Sequence, residues 1–482
     1  MGTINCLLNK NAKSLPDHPA VIGADKTISY ADLNHTVWVV TKNLQNLGVA
    51  PGNRVAIISP NNIDYIITLL ALWRLGAVAC PLSTRLPEEA IRDYVQRINA
   101  SLLITSTNLI FESDRIAVAK LHINEIMQRN PFEIQESEVR SLIFSYDQPA
   151  TILFTSGSMG EPKATLHTFG NHLFSAKGAS ENIPVKPDDH WLLTLPLYHI
   201  GGLSILFRVL LGQGTLIILY PGDPIDQTIE KYNITHISLV ATQLHRLLHS
   251  EAPVPALKKL KAIVLGGSHI PAQLVRKSFE LGLPVFFSYG LTEMSSQVAT
   301  SPMPLAKPRV LSFREIKIAH DKEILVKGEC LFHGYVEGLG LELPVDHEGW
   351  FATGDLGFLT GDGELNVTGR KDNLFISGGE NIQPEEIERH LSQLEDIEQA
   401  IIVPIHHEEF GYRPVAFIKE NSSKRLNHSL LYNHLLAHLP KFKIPEKFYR
   451  WPSSLADTEM KVSRDRLRQL VQNNHQDLQS IE

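Results

Sequence analysis

A hydroxyl-rich loop gives the first sign of chemistry. Thr151–Thr168, TILFTSGSMGEPKATLHT, runs from a short apolar segment into hydroxyls, glycines and then Lys163. Thr155, Ser156, Ser158 and Lys163 supply donors. Gly157 and Gly160 let backbone N–H groups come close to a ligand, so the loop suits an anion. The common phosphate-loop spacing G-x-x-x-x-G-K-[ST] is absent, and a polar surface loop is the alternative. SYGLTEM, Ser288–Met294, leaves the apolar run PVFF with Tyr289, Gly290, Thr292 and Glu293 close together. Tyr289 suits stacking on a base, Thr292 donation to a phosphate, and Glu293 a magnesium ion, which commonly takes one or two carboxylates beside substrate phosphates. The alternative is a hairpin-like turn with a solvated glutamate. GWFATGDLG, Gly349–Gly357, is expected to put Asp355 in a tight turn between short strands. There it accepts the hydroxyls of a ribose or merely closes an Asx-turn. In GRKDNLFISGGENIQPEEIE, Gly369–Glu388, Arg370 and Asp372 stand beside a glycine-rich loop ahead of a helix.

A lone charge marks a further site. Within WLLTLPLYHIGGLSILFRVLLGQGT, Trp191–Thr215, the helix-like LSILFRVLLG holds only Arg208. A buried arginine needs an anion or a hydrogen-bonding partner, and a ligand carboxylate clamped by the guanidinium would provide one. Otherwise the stem packs and the head reaches solvent.

The elements that must position these groups alternate. Short β-branched runs at 54–59, 101–106, 215–220, 236–240 and 261–267 read as buried strands, and helical patterns such as 30–48 lie between them. That alternation predicts an α/β fold with parallel sheets covered by helices. Near residue 305 the segments turn short and turn-rich, as in EILVKGECLFHGY and GELNVTG, which predicts a smaller β-rich subdomain. NIQPEEIERHLSQL then has proline near a helix start and acids in its first turn. The boundary is expected near Asp372, giving a large domain 1–371 and a small α+β domain 372–482.

Composition narrows the class. A chain of 482 residues exceeds one ordinary core. A net charge of −7 argues against a general nucleic-acid binder. The cysteines, Cys6, Cys80 and Cys330, are odd in number and lack C-x-x-C spacing, which fits a reducing cytoplasm. Neither a signal peptide nor a run long enough to span a bilayer is read, so no membrane insertion is expected; YIITLLALW, 65–73, reads as a buried helix. A homo-oligomer is left open.

Taken in this order, the stretches resemble the acyl-adenylate-forming enzymes, which include acyl-CoA synthetases, luciferases and peptide-synthetase adenylation domains. The resemblance covers almost the whole chain and implies activation of a carboxylic acid by ATP, with Mg²⁺, through an acyl adenylate. It places Thr155, Ser156, Gly157, Ser158, Gly160 and Lys163 around the β- and γ-phosphates. Tyr289 then faces adenine, Thr292 the α-phosphate and Glu293 the metal, while Asp355 and Arg370 hold the ribose. Asp372 falls at the family's hinge, and Lys461 in TEMKVSRDRL aligns with its C-terminal catalytic lysine. Ser158-Met159 departs from the usual hydroxyl pair, and Met460 replaces the glycine usual before that lysine. Further stretches, DDHWLLTLPLYHIGGLSILFR, LKAIVLGGSHIPAQLV and EFGYRPVAF among them, resemble the branch that joins an aromatic keto diacid to CoA. The acid so implied is 2-succinylbenzoate, on the route to menaquinone, with His199, Arg208, Gly267, Ser268 and Gly290 at the acyl site. Gly378 and Gly379 would line a CoA tunnel. A ligase for another aromatic or dicarboxylic acid, or a degenerate nucleotide-binding scaffold, are the alternatives.

Overall fold

The computed structural model describes residues 2–24, 26–106, 118–128, 142–155, 162–220, 222–249, 254–267, 270–378, 380–421, 426–455, 463–473 and 475–482. It is a mixed α/β molecule. Two large sheets dominate the first part, and in both the central strands run parallel. In one, Val78–Leu82, Arg54–Ile58, Leu102–Thr105 and Ala119–His122 lie parallel side by side. In the other, Val285–Leu291, Ala262–Gly266, His236–Leu239, His190–Leu193, Thr215–Ile218 and Pro19–Ile22 do the same. Their β-branched runs are buried almost throughout, as strands covered on both faces require.

The helices show why they form. Tyr30–Asn46 starts at Ser29, whose hydroxyl accepts the Asp32 N–H at 3.1 Å. Ile63–Leu75 starts at Asn62, which accepts from Tyr65 N–H at 2.7 Å. Ile200–Gly212 is apolar around most of its circumference, and Gly202–Leu210 are all buried. A helix of that kind belongs inside a core. It lies with Trp73, Phe169 and Trp191 in the largest apolar cluster.

Beyond residue 310 an antiparallel sheet orders Glu315–Ile318, Glu323–Lys327, Phe351–Leu359 and Leu365–Arg370. Its membership corrects the sequence reading. EILVKGECLFHGY is not all in the small sheet: Gly334–Glu337 instead pairs antiparallel with Ala164–Thr168, and Gly340–Glu342 follows as the edge of the first large sheet. The turn Lys371–Asn373 leads from Leu365–Arg370 into a separate sheet of Phe375–Ser377, Glu380–Ile382, Ile397–His407, Gly411–Glu420 and Lys447–Arg450. Helix Pro384–Leu391 covers it, with proline at its first turn and Glu385 and Glu386 behind, as the sequence predicts. Among the described residues, no helix is long and apolar enough to cross a membrane.

Candidate active site

Strand Val285–Leu291 passes into the short turn of helix Thr292–Met294, and the chain returns antiparallel as Ser296–Thr300. The reversal is tight. Ser295 and Ser296 both have positive φ, 52° and 103°. A Cβ on Gly290 would lie 2.0 Å from the Ser296 carbonyl oxygen, so the bulge after Tyr289 admits only glycine. The expected hairpin is therefore present, but Glu293 is not the solvated residue of a bland turn.

Asp355 differs from its expectation. It lies in the middle of the nine-residue strand Phe351–Leu359, not in a tight turn between short strands. Gly354, at φ +72°, is accommodated as a kink within the strand, and its N–H is taken by the Glu323 carboxylate at 2.9 Å. Alternation along the strand turns Thr353 and Asp355 inward. Across the ladder Asp355 faces Arg370. Tyr289 Oη donates to Asp355 Oδ2 at 2.7 Å, and Arg370 Nη1 donates to Oδ1 at 3.0 Å. Arg370 Nη2 meets Asp372 Oδ2 at 2.8 Å. Burial works against the charge on Arg370, but Asp355 and Asp372 outweigh it and raise its pKa. Burial first, and then the Asp355 carboxylate, keep the Tyr289 phenol protonated.

A second group lies close by. Tyr335 Oη donates to Glu293 Oε1 at 2.8 Å, and the Lys163 ammonium sits 4.7 Å from the centre of the Tyr335 ring. Burial raises the Glu293 pKa against the opposing effect of the Tyr335 bond. His167 Nε2 lies 2.7 Å from the Thr292 carbonyl oxygen, and only its N–H form can bond there. Burial lowers the His167 pKa to about 4, which keeps the ring neutral. Thr155 closes the base of its loop twice: its N–H donates to the Lys163 carbonyl at 2.9 Å, and its hydroxyl accepts the Lys163 N–H at 3.2 Å. Ser156, Gly157, Ser158 and Gly160 lie outside the described residues, as do Ser268, Gly379 and Lys461.

Arg208 is 2% exposed, which removes the solvent-reaching alternative. Its Nη2 donates to Ser296 Oγ at 3.2 Å, and Ser204 Oγ meets the same hydroxyl at 3.2 Å. The Trp191 ring lies 5.6 Å from the guanidinium carbon. Among the described residues no carboxylate pairs with Arg208, and its Nε has no hydrogen-bond partner. Burial, with repulsion from Arg314 added, brings its pKa down to about 9, so it stays charged at neutral pH. Ser296 joins the two regions, since its carbonyl touches Gly290 and its side chain holds Arg208.

The structure thus brings Tyr289, Thr292, Glu293, Asp355, Arg370, Asp372 and Lys163 into one set, with Arg208 one strand away. His199 stands just ahead of helix Ile200–Gly212, and burial, then Arg85, lowers its pKa. Gly267, at φ +83°, borders Val240, and Gly378 bonds the Phe410 carbonyl. Sequence reasoning missed Tyr335, Ser296, His167 and Glu323. HGY after the apolar LF was the available signal for Tyr335.

These elements define the class of protein. The chain belongs to the AMP-binding enzyme family, whose profile matches residues 8–336. It is 32% identical to the 2-succinylbenzoate–CoA ligase of Bacillus cytotoxicus over 489 aligned positions, covering 98% of this chain and all of that one. It also matches the o-succinylbenzoate CoA synthetase (MenE) of Bacillus subtilis in complex with the acyl-adenylate intermediate OSB-AMP. The identity is 29%, the TM-score 0.85 and the coverage 100% of both chains. A double mutant of that synthetase bound with its product analogue OSB-NCoA gives 0.72 at the same identity and coverage.

Proposed function

We propose that this chain is an ATP-dependent acid–thiol ligase that converts 2-succinylbenzoate and CoA into 2-succinylbenzoyl-CoA, AMP and pyrophosphate, a step toward menaquinone. The observation that carries the choice of acid is Arg208. It is a charged, buried guanidinium with a hydroxyl partner and no carboxylate among the described residues, next to the turn that holds Thr292 and Glu293. A substrate with one carboxylate to activate and another for recognition supplies the missing anion.

In the first half-reaction a carboxylate oxygen of the acid attacks the α-phosphorus of ATP. The bond from that phosphorus to the bridging oxygen breaks, and its electrons leave with pyrophosphate. Lys163 and the loop beginning at Thr155 hold the β- and γ-phosphates, and Thr292 donates to the α-phosphate. Asp355, fixed by Tyr289 and Arg370, keeps lone pairs for the ribose hydroxyls. Tyr289, tied through its hydroxyl to Asp355, would offer its ring to the base. Lys461 stabilises the charge that grows on the α-phosphate. Glu293 suits Mg²⁺: Tyr335 occupies one of its several acceptor positions, and burial, with a smaller push from the Asp355 carboxylate, disfavours its charge. Among the described residues no group of three or more His, Cys, Asp or Glu forms a metal cage. An Mg²⁺ ion there would be held by that one carboxylate together with the substrate phosphates. Such an ion supplies neutralisation of phosphate charge. In the second half-reaction the CoA sulfur attacks the acyl carbon, its proton goes to solvent, and AMP departs with the carbon–oxygen bond electrons. Gly378 and Gly379 border the path of the pantetheine, and His199 packs between the two regions.

The same reading makes 1–371 the nucleotide- and acyl-binding domain, and 372–482 a mobile domain pivoting at Asp372, in a cytoplasmic protein. Mass spectrometry of products from ATP, CoA and a panel of acids tests the function. The expected product is 2-succinylbenzoyl-CoA with AMP. A thioester formed only from fatty acids or simple benzoates would reject the assignment.

A further inference from the structure

Helix Pro384–Leu391 lies against strand Leu365–Arg370, on the far side of the Lys371–Asn373 turn. The contact is polar and converges on two side chains. Gln383 Nε2 donates to the Arg370 carbonyl oxygen at 2.9 Å and also to the Glu385 carboxylate. The other Glu385 oxygen accepts from Asn373 Nδ2 and, at 3.1 Å, from Arg464 Nη2. Gly369 leaves the space for this: a Cβ there would lie 2.5 Å from Gln383 Nε2 and 2.8 Å from a Glu385 oxygen. The bonds connect the residue that holds Asp355 with the turn containing Asp372. They also reach the helix Arg464–Gln472, which begins shortly after Lys461.

Chain order separates these bonds. Asn373, Gln383, Glu385 and Arg464 all follow Asp372, so a rotation about that residue carries them together. Arg370 precedes it. The Gln383–Arg370 bond therefore spans the pivot and is lost when the rotation occurs, while the Glu385 bonds to Asn373 and Arg464 persist. The whole chain is nearer the adenylate complex of the Bacillus subtilis synthetase, at a TM-score of 0.85, than its product-analogue complex, at 0.72. The bond is thus found in a chain whose overall arrangement is nearer that of the adenylate complex.

We propose that Gln383 is a positioning residue whose bond to the Arg370 carbonyl holds the C-terminal part in its adenylate-forming orientation and releases it for thioester formation. This rests on the ligase reading above. Two variants test it by different routes. Gln383→Met keeps the length and removes the donor. Gly369→Ala keeps Gln383 and pushes its amide away. In both, acid-dependent pyrophosphate release should fall about two- to tenfold, the worth of one ordinary hydrogen bond. Thioester formation from supplied acyl adenylate and CoA should hold steady or quicken. Equal losses in both half-reactions, or none in either, would overturn the proposal. A second readout needs no substrate. Phe279→Cys and Leu436→Cys place dyes at exposed positions on either side of Asp372, and Cys6, Cys80 and Cys330 are buried. Energy transfer between the dyes should shift in free Gln383→Met, and a distribution identical to the parent's would also refute the latch. Failure of the unaltered enzyme to release pyrophosphate with 2-succinylbenzoate would reject the function alone, since the dye distance reads orientation directly.

Discussion

Replacing Arg208 by alanine tests the assignment of substrate most directly. The guanidinium is 2% exposed, reaches Ser296 Oγ at 3.2 Å and has the Trp191 ring beside it. The variant removes the cation and leaves Ser296 and Ser204 to share a hydroxyl contact in an apolar wall. A hydrogen bond to a charged group is worth about 1.5–3 kcal/mol. The expected loss in kcat/KM for 2-succinylbenzoate is thus about ten- to hundredfold. If Arg208 meets the recognition end of the acid as proposed, most of the loss should fall on KM for the acid and little on KM for ATP. Arg208→Lys should restore only part, since a point charge lacks the planar fork that meets a carboxylate. The assay is acid-dependent pyrophosphate release over a matrix of acid and ATP concentrations, with thermal melting alongside to separate lost folding from lost recognition. A folded Ala variant with full kcat/KM would refute the reasoning and leave the acid unexplained by any charge in the structure.

Three further outcomes are expected. Lys461→Ala should lower adenylation by about a hundredfold or more, as for other preorganised charge stabilisers, and spare thioester formation from supplied acyl adenylate; equal losses would make the lysine structural. Asp372→Pro should leave adenylation near normal and cripple thioester formation, because proline fixes φ near −65° at the proposed pivot. Asp372→Ala is the comparison, as it also loses the ion pair to Arg370 but keeps φ free. His167→Gln should make the fold less sensitive to acid. The His167 pKa is lowered to about 4, so between about pH 6.5 and 4 the unfolded chain binds the extra proton, and stability is lost as pH falls through that window. Denaturant titrations at several pH values should show the difference between the two proteins, up to about 3 kcal/mol, shrinking toward pH 7; parallel pH profiles would count against it.

What the sequence revealed follows from the range of the interactions. The parallel strands were legible because burial on both faces leaves β-branched runs that need no partner to be recognised. Helix Pro384–Leu391 was legible for a local reason too, its proline and its first-turn acids. The site types were legible as side chains: Lys163, Tyr289, Glu293, Asp355 and Arg370 do converge. Their settings were not. GD reads locally as a turn, yet Glu323, supplied by a neighbouring strand, accepts the Gly354 N–H and lets the strand continue. Tyr335 binds Glu293 across 42 positions, and Arg208 meets Ser296 across 88. Such pairings arise from sheet order, and no local spacing encodes them. The burial of Arg208 sat between these cases: its apolar neighbours suggested it, and the tertiary packing decided it.

The hairpin of Gly334–Glu337 and Gly340–Glu342 has a consequence for dissecting this protein. It is handed to the first large sheet between the two hairpins that build the four-stranded one. The four-stranded sheet is therefore not a cassette. Excising residues 310–370 would strip two strands from its neighbour and bare the backbone edge of Ala164–Thr168, an invitation to pairing between molecules. It would also take away the tyrosine lying between Lys163 and Glu293. Homologous exchange at that junction meets the same obstacle, whereas a cut within Lys371–Asn373 severs no sheet. Shuffling and split-protein strategies have their seam there.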